Sequence, residues 1–150
     1  PALRGPRACF VKLQTGPVLR GCVGSLEARR ALAADAVHNA HAAAFRDPRF
    51  PPLNAAEWPG LSVSLSILSP PQPLPCTDEA DLVAQLRPGI DGLVLEAGMT
   101  RCATFLPAVW EMLPDPRDFL RQLKAKAGLP AEYWSAALQF RRYTVQKAGD

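Results

Sequence analysis

Ala8-Cys9-Phe10-Val11-Lys12-Leu13, then Gln14-Thr15-Gly16-Pro17, then Val18 to Leu26 (VLRGCVGSL) decide how this chain begins to fold. The first run is rich in β-formers and reads as a strand. Gln14 to Pro17 is turn chemistry, and Val18 to Leu26 reads as a second strand. Strands joined in this way are expected to form an antiparallel hairpin.

Beyond the hairpin, Ala31 to Arg46 holds no Pro or Gly and is dominated by alanine, a strong helix signal. Leu32, Ala36, Ala40 and Ala43 repeat at helical spacing and should form a narrow inward face. Asp47-Pro48 ends the helix and opens a proline-rich loop to Gly60. Leu61, Val63, Leu65 and Ile67 alternate with serines, which predicts a half-buried strand. A stiff connection, Ser69 to Pro75, leads to a helix with Thr77 as its expected N-cap, running to about Leu86. Gly92 to Glu96 and Arg101 to Leu106 predict a second hairpin that Pro107 breaks. Pro116 to Lys126 is expected to be helical with Phe119, Leu120 and Leu123 inward, stopped by Gly128. Ala136 to Val145 should be the last strand. This order is not regular βαβ alternation. It predicts an α+β fold with a mixed, largely antiparallel sheet and flanking helices. Residues 1–150 are read as one domain, with two lobes hinged near Ser69-Pro70-Pro71.

At 150 residues, 48% hydrophobic and 21% charged, the chain has the balance of an ordinary globular domain. The net charge of +3 is mild and the basic residues are dispersed, so a nucleic-acid partner is not expected. No apolar run is long enough to span a bilayer, and Pro1 to Lys12 carries no signal-like apolar stretch. The first residue is Pro1 rather than Met, which is read as loss of an N-terminal piece; a targeting segment could have gone with it. Cys9, Cys22, Cys76 and Cys102 form no C-x-x-C pair and no zinc spacing. Buried free thiols are expected at Cys9, Cys22 and Cys102, in a reducing, cytoplasmic compartment with no disulfides. No metal site is expected, since zinc needs four converging ligands, or three and water.

Cys22 is the first candidate for chemistry. Strand residues i and i+2 share a face, so Arg20 and Cys22 should lie side by side. A guanidinium beside a thiol favours the nucleophilic thiolate. Gly21 and Gly24 would let a ligand or another backbone approach closely. The blander reading is an inert strand cysteine beside a snorkelling arginine. Arg46-Asp47-Pro48-Arg49-Phe50-Pro51-Pro52 places arginines and an aspartate in a loop stiffened by proline. Arg49 there could grip a carboxylate or phosphate, or simply pin the loop through Asp47. Ser66 and Thr104 could line a cleft or satisfy local backbone. His38 and His41, one turn apart, could bind a metal or act as a base, with Asp35 orienting His38, but surface histidines are the blander reading. No phosphate-binding glycine loop, G-x-S-x-G, H-E-x-x-H or dinucleotide fingerprint is present.

Taken together, the motifs resemble a known family. LRGCVG (Leu19 to Gly24) is close to the LRGCIG hallmark of the AMMECR family, whose bacterial members are called AmmeMemoRadiSam system protein A. The likeness continues through AAAFRDPRFPPL (Ala42 to Leu53), LSILSPP (Leu65 to Pro71), RPGIDGLVLE (Arg87 to Glu96), ATFLPAVW (Ala103 to Trp110), LKAKAGLP (Leu123 to Pro130) and RRYTV (Arg141 to Val145). Val23 stands where the hallmark has isoleucine. The resemblance implies a mixed sheet with helices in two lobes and the LRGC motif near their cleft. It implies association with a Memo-like protein and a radical S-adenosylmethionine enzyme. The family pattern maps onto Arg20, Gly21, Cys22, Gly24, Asp47, Arg49, Phe50, Pro51, Ser66, Gly92, Thr104 and Pro107. Neither histidine belongs to it. It also implies a helix before the first strand, of which little is seen here, so one packing face is expected to lack part of its cover.

The favoured expectation is a cytosolic enzyme or enzyme subunit of a modification pathway. Cys22 would be the thiolate, Arg20 its stabiliser, Asp47 a base or the group orienting Arg49, and Arg49 the clamp on an anionic substrate. Gly21, Gly24, Ser66 and Thr104 would line the binding site. No cofactor is expected. The rival is a non-catalytic module that binds a peptide or protein in the same cleft, and a weaker third reading is nucleic-acid binding there.

Overall fold

The computed structural model describes residues 5–26 and 28–149. The reading of Pro1 to Lys12 as free of a signal-like stretch falls partly on residues 1–4, outside the described ones. In chain order the elements are β1 (Ala8–Thr15), β2 (Val18–Gly24), α1 (Leu32–Phe45), β3 (Leu61–Leu68), β4 (Gln72–Pro73) and α2 (Glu79–Gln85). They continue with β5 (Gly92–Ala97), β6 (Arg101–Phe105), α3 (Pro116–Lys126), β7 (Gln139–Tyr143) and β8 (Val145–Gly149). Short 3-10 turns at Ala55–Gly60 and Pro107–Glu111 were not foreseen. Among the described residues no helix is long and apolar enough to cross a membrane.

The fold is α+β, as expected, but the strands form two sheets rather than one. Their orders are β2-β1-β3-β8 and β4-β7-β5-β6. Every pairing with a described register is antiparallel. The chain gathers into two compact units: residues up to Pro70 with those from Gln146 on, and Pro71–Val145. The boundary lies inside Ser69-Pro70-Pro71. The expected last strand, Ala136 to Val145, is observed as β7; β8, which begins at Val145 and joins the other sheet, was not foreseen.

In the second unit the core gathers Leu82, Leu93, Leu95, Phe119, Leu120 and Leu123, with Trp110 stacked on Phe119 at 3.8 Å. Gly128, at φ 82°, takes the left-handed turn that ends α3. Asp78, not Thr77, caps α2, its carboxylate accepting from Asp81 N at 2.8 Å. An aspartate there answers the orphan N–H groups as well as a threonine would, so residue preference could not choose between neighbours.

In the first unit, Val11, Leu13, Ala43, Ala44 and Leu53 form the core beneath α1. The inward face of α1 differs from the expected alanine stripe, because Asp35 and Asn39 are buried with Leu32, Ala42 and Ala43, while Ala36 and Ala40 are half-buried. Asp35 accepts from both the amide and the thiol of Cys9, each at 3.1 Å, and Asn39 donates to Cys9 O at 3.0 Å. Burial first, and the Asp35 hydrogen bond second, push the Cys9 pKa up to about 12.

Helix α1 sits so close to β2 that a Cβ on Gly21 would overlap the carbonyl of Ala43. The backbone on each side is regular secondary structure and has little room to retreat. Gly21→Ala should therefore cost about 1–3 kcal/mol, the range for overpacking a closed interface. Thermal or denaturant unfolding of the variant checks this, and an unchanged midpoint would show that α1 can shift away.

Candidate functional site

Strand β2 forms an edge of the first sheet. Its pairing with β1 sets Cys22 opposite Lys12 and Gly21 opposite Leu13, but Leu19 opposite Gln14. Arg20 is therefore an extra residue, a bulge, where the ladder is interrupted and the side chain is re-aimed. The expected i, i+2 placement of Arg20 beside Cys22 relied on unbroken alternation, which the bulge removes. Arg20 instead donates through Nε and Nη2 to the Glu57 carboxylate, at 2.5 and 3.1 Å, and through Nη2 to Pro51 O at 2.7 Å. Hydrogen bonding from Arg20 is the main cause that lowers the Glu57 pKa. Arg20 thus fastens the loop after α1 to the edge strand.

Two residues further along the strand, at Cys22, Asp47 fastens the start of that loop. It is 5% exposed. Its carboxylate accepts four hydrogen bonds: from Cys22 N and Arg49 N at 3.1 Å each, Arg49 Nε at 3.0 Å and Arg49 Nη2 at 2.7 Å. The Arg49 hydrogen bonds hold this carboxyl well below the usual range, against the opposing pull of burial. Of the two roles expected for Asp47, the geometry fits the orienting one, because so acidic a carboxyl is a poor proton acceptor. Arg49 Nη2 also reaches Cys22 O at 3.4 Å, so the Asp47–Arg49 pair meets both the N–H and the C=O of Cys22 on the strand edge.

Arg49 is both pinned and presented. One edge of its guanidinium is taken by Asp47, yet its side chain remains 57% exposed, and its Cζ lies 5.3 Å from the centre of the Phe50 ring. Hydrogen bonding to Asp47 raises the Arg49 pKa, and the neighbouring Cys22 side chain adds to the shift electrostatically. Arg49, rather than Arg20, is therefore the arginine that reaches Cys22, at its carbonyl.

The remaining expected residues separate. Of the two things Gly21 and Gly24 were expected to admit, a ligand or another backbone, Gly21 admits the backbone of Ala43, while the space at Gly24 is taken by the Phe10 ring. Ser66 is half-buried on β3 opposite Phe10. Thr104 lies in the second unit, where its hydroxyl donates to Leu93 O and shares a hydrogen bond with Tyr143 Oη, both at 2.8 Å. That is the local backbone role rather than a free cleft hydroxyl. His38 and His41 are exposed, and His41 packs on Phe45 with ring centres 5.0 Å apart. Asp35, a proposed partner for His38, is instead buried against Cys9. None of the four cysteines is in a disulfide; Cys9 is buried, but Cys22 is only half-buried and Cys102, expected inside, is exposed. Among the described residues no group of three or more His, Cys, Asp or Glu is placed to hold a metal.

A sequence model of AMMECR1 matches residues 1–148. The chain belongs to the AMMECR1 family. It is 37% identical over 129 residues to a protein of Methanothermobacter thermautotrophicus, covering 86% of this chain and 67% of that one. With a protein of Methanocaldococcus jannaschii the identity is 38% over 133 residues, covering 87% and 66%. A Sulfurisphaera tokodaii protein matches at 37% over 117 residues, 77% of this chain but 51% of that one. The chain thus spans between half and two thirds of these relatives' length. The crystal structure of an uncharacterised protein from Pyrococcus horikoshii superposes with a TM-score of 0.91 at 29% identity, covering all of this chain and 76% of that one.

Two residues at the site escaped the sequence reading of this AMMECR1-family chain. Glu57 carried a local signal, since Asn54 and Glu57 form a capping box on the Ala55–Gly60 turn. Lys12 carried none, because its place opposite Cys22 depends on the bulge.

Asp47 also sets a pH dependence. An unfolded aspartate titrates near ~3.9, and the folded one is lower. Its contribution is therefore complete above that unfolded value and is lost as pH falls through it toward the folded pKa. Asp47→Asn should cost about 1.5–3 kcal/mol at neutral pH. Unfolding measured from neutral to acid pH should show the variant losing less stability than the parent, and parallel curves would exclude this role.

Proposed function

We propose that the Cys22–Arg49–Asp47 corner is a thiol-based site for an anionic substrate, acting in a cytoplasmic modification pathway together with a Memo-like protein and a radical S-adenosylmethionine enzyme. The observation that supports it most is the state of Arg49. Its inner edge is fixed by a buried carboxylate, its side chain is 57% exposed, and its Nη2 reaches the Cys22 carbonyl at 3.4 Å. A guanidinium held this way has lost most of its freedom already, so little ordering remains to be done when an anion binds. The same charge favours the thiolate of a neighbouring cysteine. Cys22 is the nucleophile in this reading, Arg49 the anion clamp, and Asp47 the positioning residue. Arg20 acts on the loop rather than on the thiol. The pathway and partners rest on the family resemblance alone, and activity of the chain with its presumed partners is the assay that addresses them.

Alkylation tests the thiol directly. Cys9 should be inert, being fully buried with a pKa near 12, and Cys76 slow, its pKa raised by burial and then by Asp81 and Asp78. Exposure alone would place Cys102 first. The proposal places Cys22 ahead of Cys102 with iodoacetamide below pH ~8. It also expects Arg49→Gln to slow Cys22 without changing Cys102. Labelling of Cys22 no faster than that of Cys102 would overturn the nucleophile role.

A further inference from the structure

Cys22 has a second cation beside it, on a different side from Arg49. In the register of the first sheet Cys22 lies opposite Lys12, and Lys12 lies opposite Ser64 of β3. Residues directly opposite on antiparallel strands share a face, with Cβ atoms about 4.5–5.5 Å apart. The three side chains therefore form one row across the sheet. Gly24, Phe10 and Ser66 form the adjacent row on the same face. Gly21, next to Cys22, points at the carbonyl of Ala43 in α1, so this row lies on the face turned away from that helix. Lys12 is exposed, while Cys22 and Ser64 are half-buried.

This arrangement depends on the bulge. The hairpin closes with Thr15 opposite Val18. An unbroken ladder counted outward from there would set Val11 opposite Cys22 and Lys12 opposite Gly21. The extra residue at Arg20 shifts the register by one, which exchanges a valine for a lysine as the thiol's neighbour.

We propose that Lys12 is an anion-binding residue of the Cys22 site, so that Lys12 from the sheet face and Arg49 from the strand edge together hold a carboxylate or phosphate group of the substrate next to the thiol. This rests on the reading of Cys22 as a reactive thiol and adds the chemical class of what approaches it. Two cations arranged on two sides of one thiol favour a small anionic ligand over a neutral one. Ser64 and Ser66 supply hydroxyls on the same face.

Paired alkylating reagents, iodoacetate and iodoacetamide, separate the two ideas, because they differ in charge and share the same attack by sulfur on carbon with loss of iodide. The quantity read is the ratio of their rates at Cys22, with Cys102 in the same protein as reference. Lys12→Gln should lower the iodoacetate-to-iodoacetamide ratio at Cys22 by about two- to fivefold, the range a solvent-exposed charge pair supplies. Lys12→Arg should restore it, and the ratio at Cys102 should stay constant throughout. Lys12 is exposed, so both variants are expected to fold, which a melting curve verifies. An unchanged ratio at Cys22 in Lys12→Gln, with iodoacetamide still fast, overturns the role of Lys12 and leaves the thiol reading standing. Cys22 inert to both reagents in the unaltered protein overturns the thiol reading, and this inference with it.

Discussion

A carboxylate removed from water must collect its compensating donors locally, and Asp47 collects them from two parts of the chain. One donor is the Cys22 amide on the edge strand; the others are the amide and guanidinium of Arg49 in the loop. The start of the loop and the strand are therefore joined through a single charge. Because β2 is an edge, its outward N–H and C=O groups would otherwise invite pairing with another chain. The Asp47–Arg49 pair meets those of Cys22, and Pro51 O and Glu57 engage Arg20 beyond it. The loop thereby covers the edge on which the candidate thiol sits. Breaking such a pair is costlier than its net value, since the surviving carboxylate would be left buried and unpaired.

The same device recurs. Asp35, 1% exposed, accepts the Cys9 amide and lies 3.4 Å from the Arg30 guanidinium. Asp91, fully buried, accepts the Arg87 amide and is bonded by the Arg87 guanidinium at 2.7 Å, with Arg142 at 3.7 Å. In each case a buried aspartate joins a backbone N–H to an arginine. The two sides differ in directionality: the amide fixes where the carboxylate lies, and the planar guanidinium fixes how it is turned. Only at Asp47 does the amide belong to Cys22.

How much of this could be read from residues depends on how local the cause was. The hairpin, α1, β3 and α3 follow from composition and period, and their observed limits agree with the sequence reading to within a residue or two. Buried polar positions were invisible to the same method. Asp35 and Asn39 occupy the inward face of α1 because partners far along the chain, Cys9 and Ser25, satisfy them. Periodicity scores them as outward and promotes the alanines beside them. β8 escaped for a related reason, since which sheet a strand joins depends on partners its own residues do not specify. At the site, Cys22, Asp47 and Arg49 were legible as residue types in suggestive spacing. Which arginine would reach Cys22 was not, because Arg20 is drawn away to Glu57 and Pro51.

The bulge is where fold and site become inseparable. Gly21 has to face α1, since only a residue without Cβ fits against the Ala43 carbonyl. Cys22 must then face the opposite side, whatever its chemistry. Register decides which residue of β1 accompanies it there, and a slip of one residue reverses every side chain beyond the slip. With Arg20 looped out, the core pairs Val11 with Val23 and Leu13 with Gly21, and all four face α1. Without it, Leu13 would oppose Arg20, and Cys22 would oppose Val11, so either the hydrophobic residues of β1 or the thiol would have to change sides. Packing alone therefore demands one extra residue between Leu19 and Gly21. The residue supplied there is an arginine, whose long side chain turns the irregularity into an anchor for the loop carrying Arg49. A short apolar residue at the bulge would keep the register and lose the anchor, which separates the requirement of the core from that of the site.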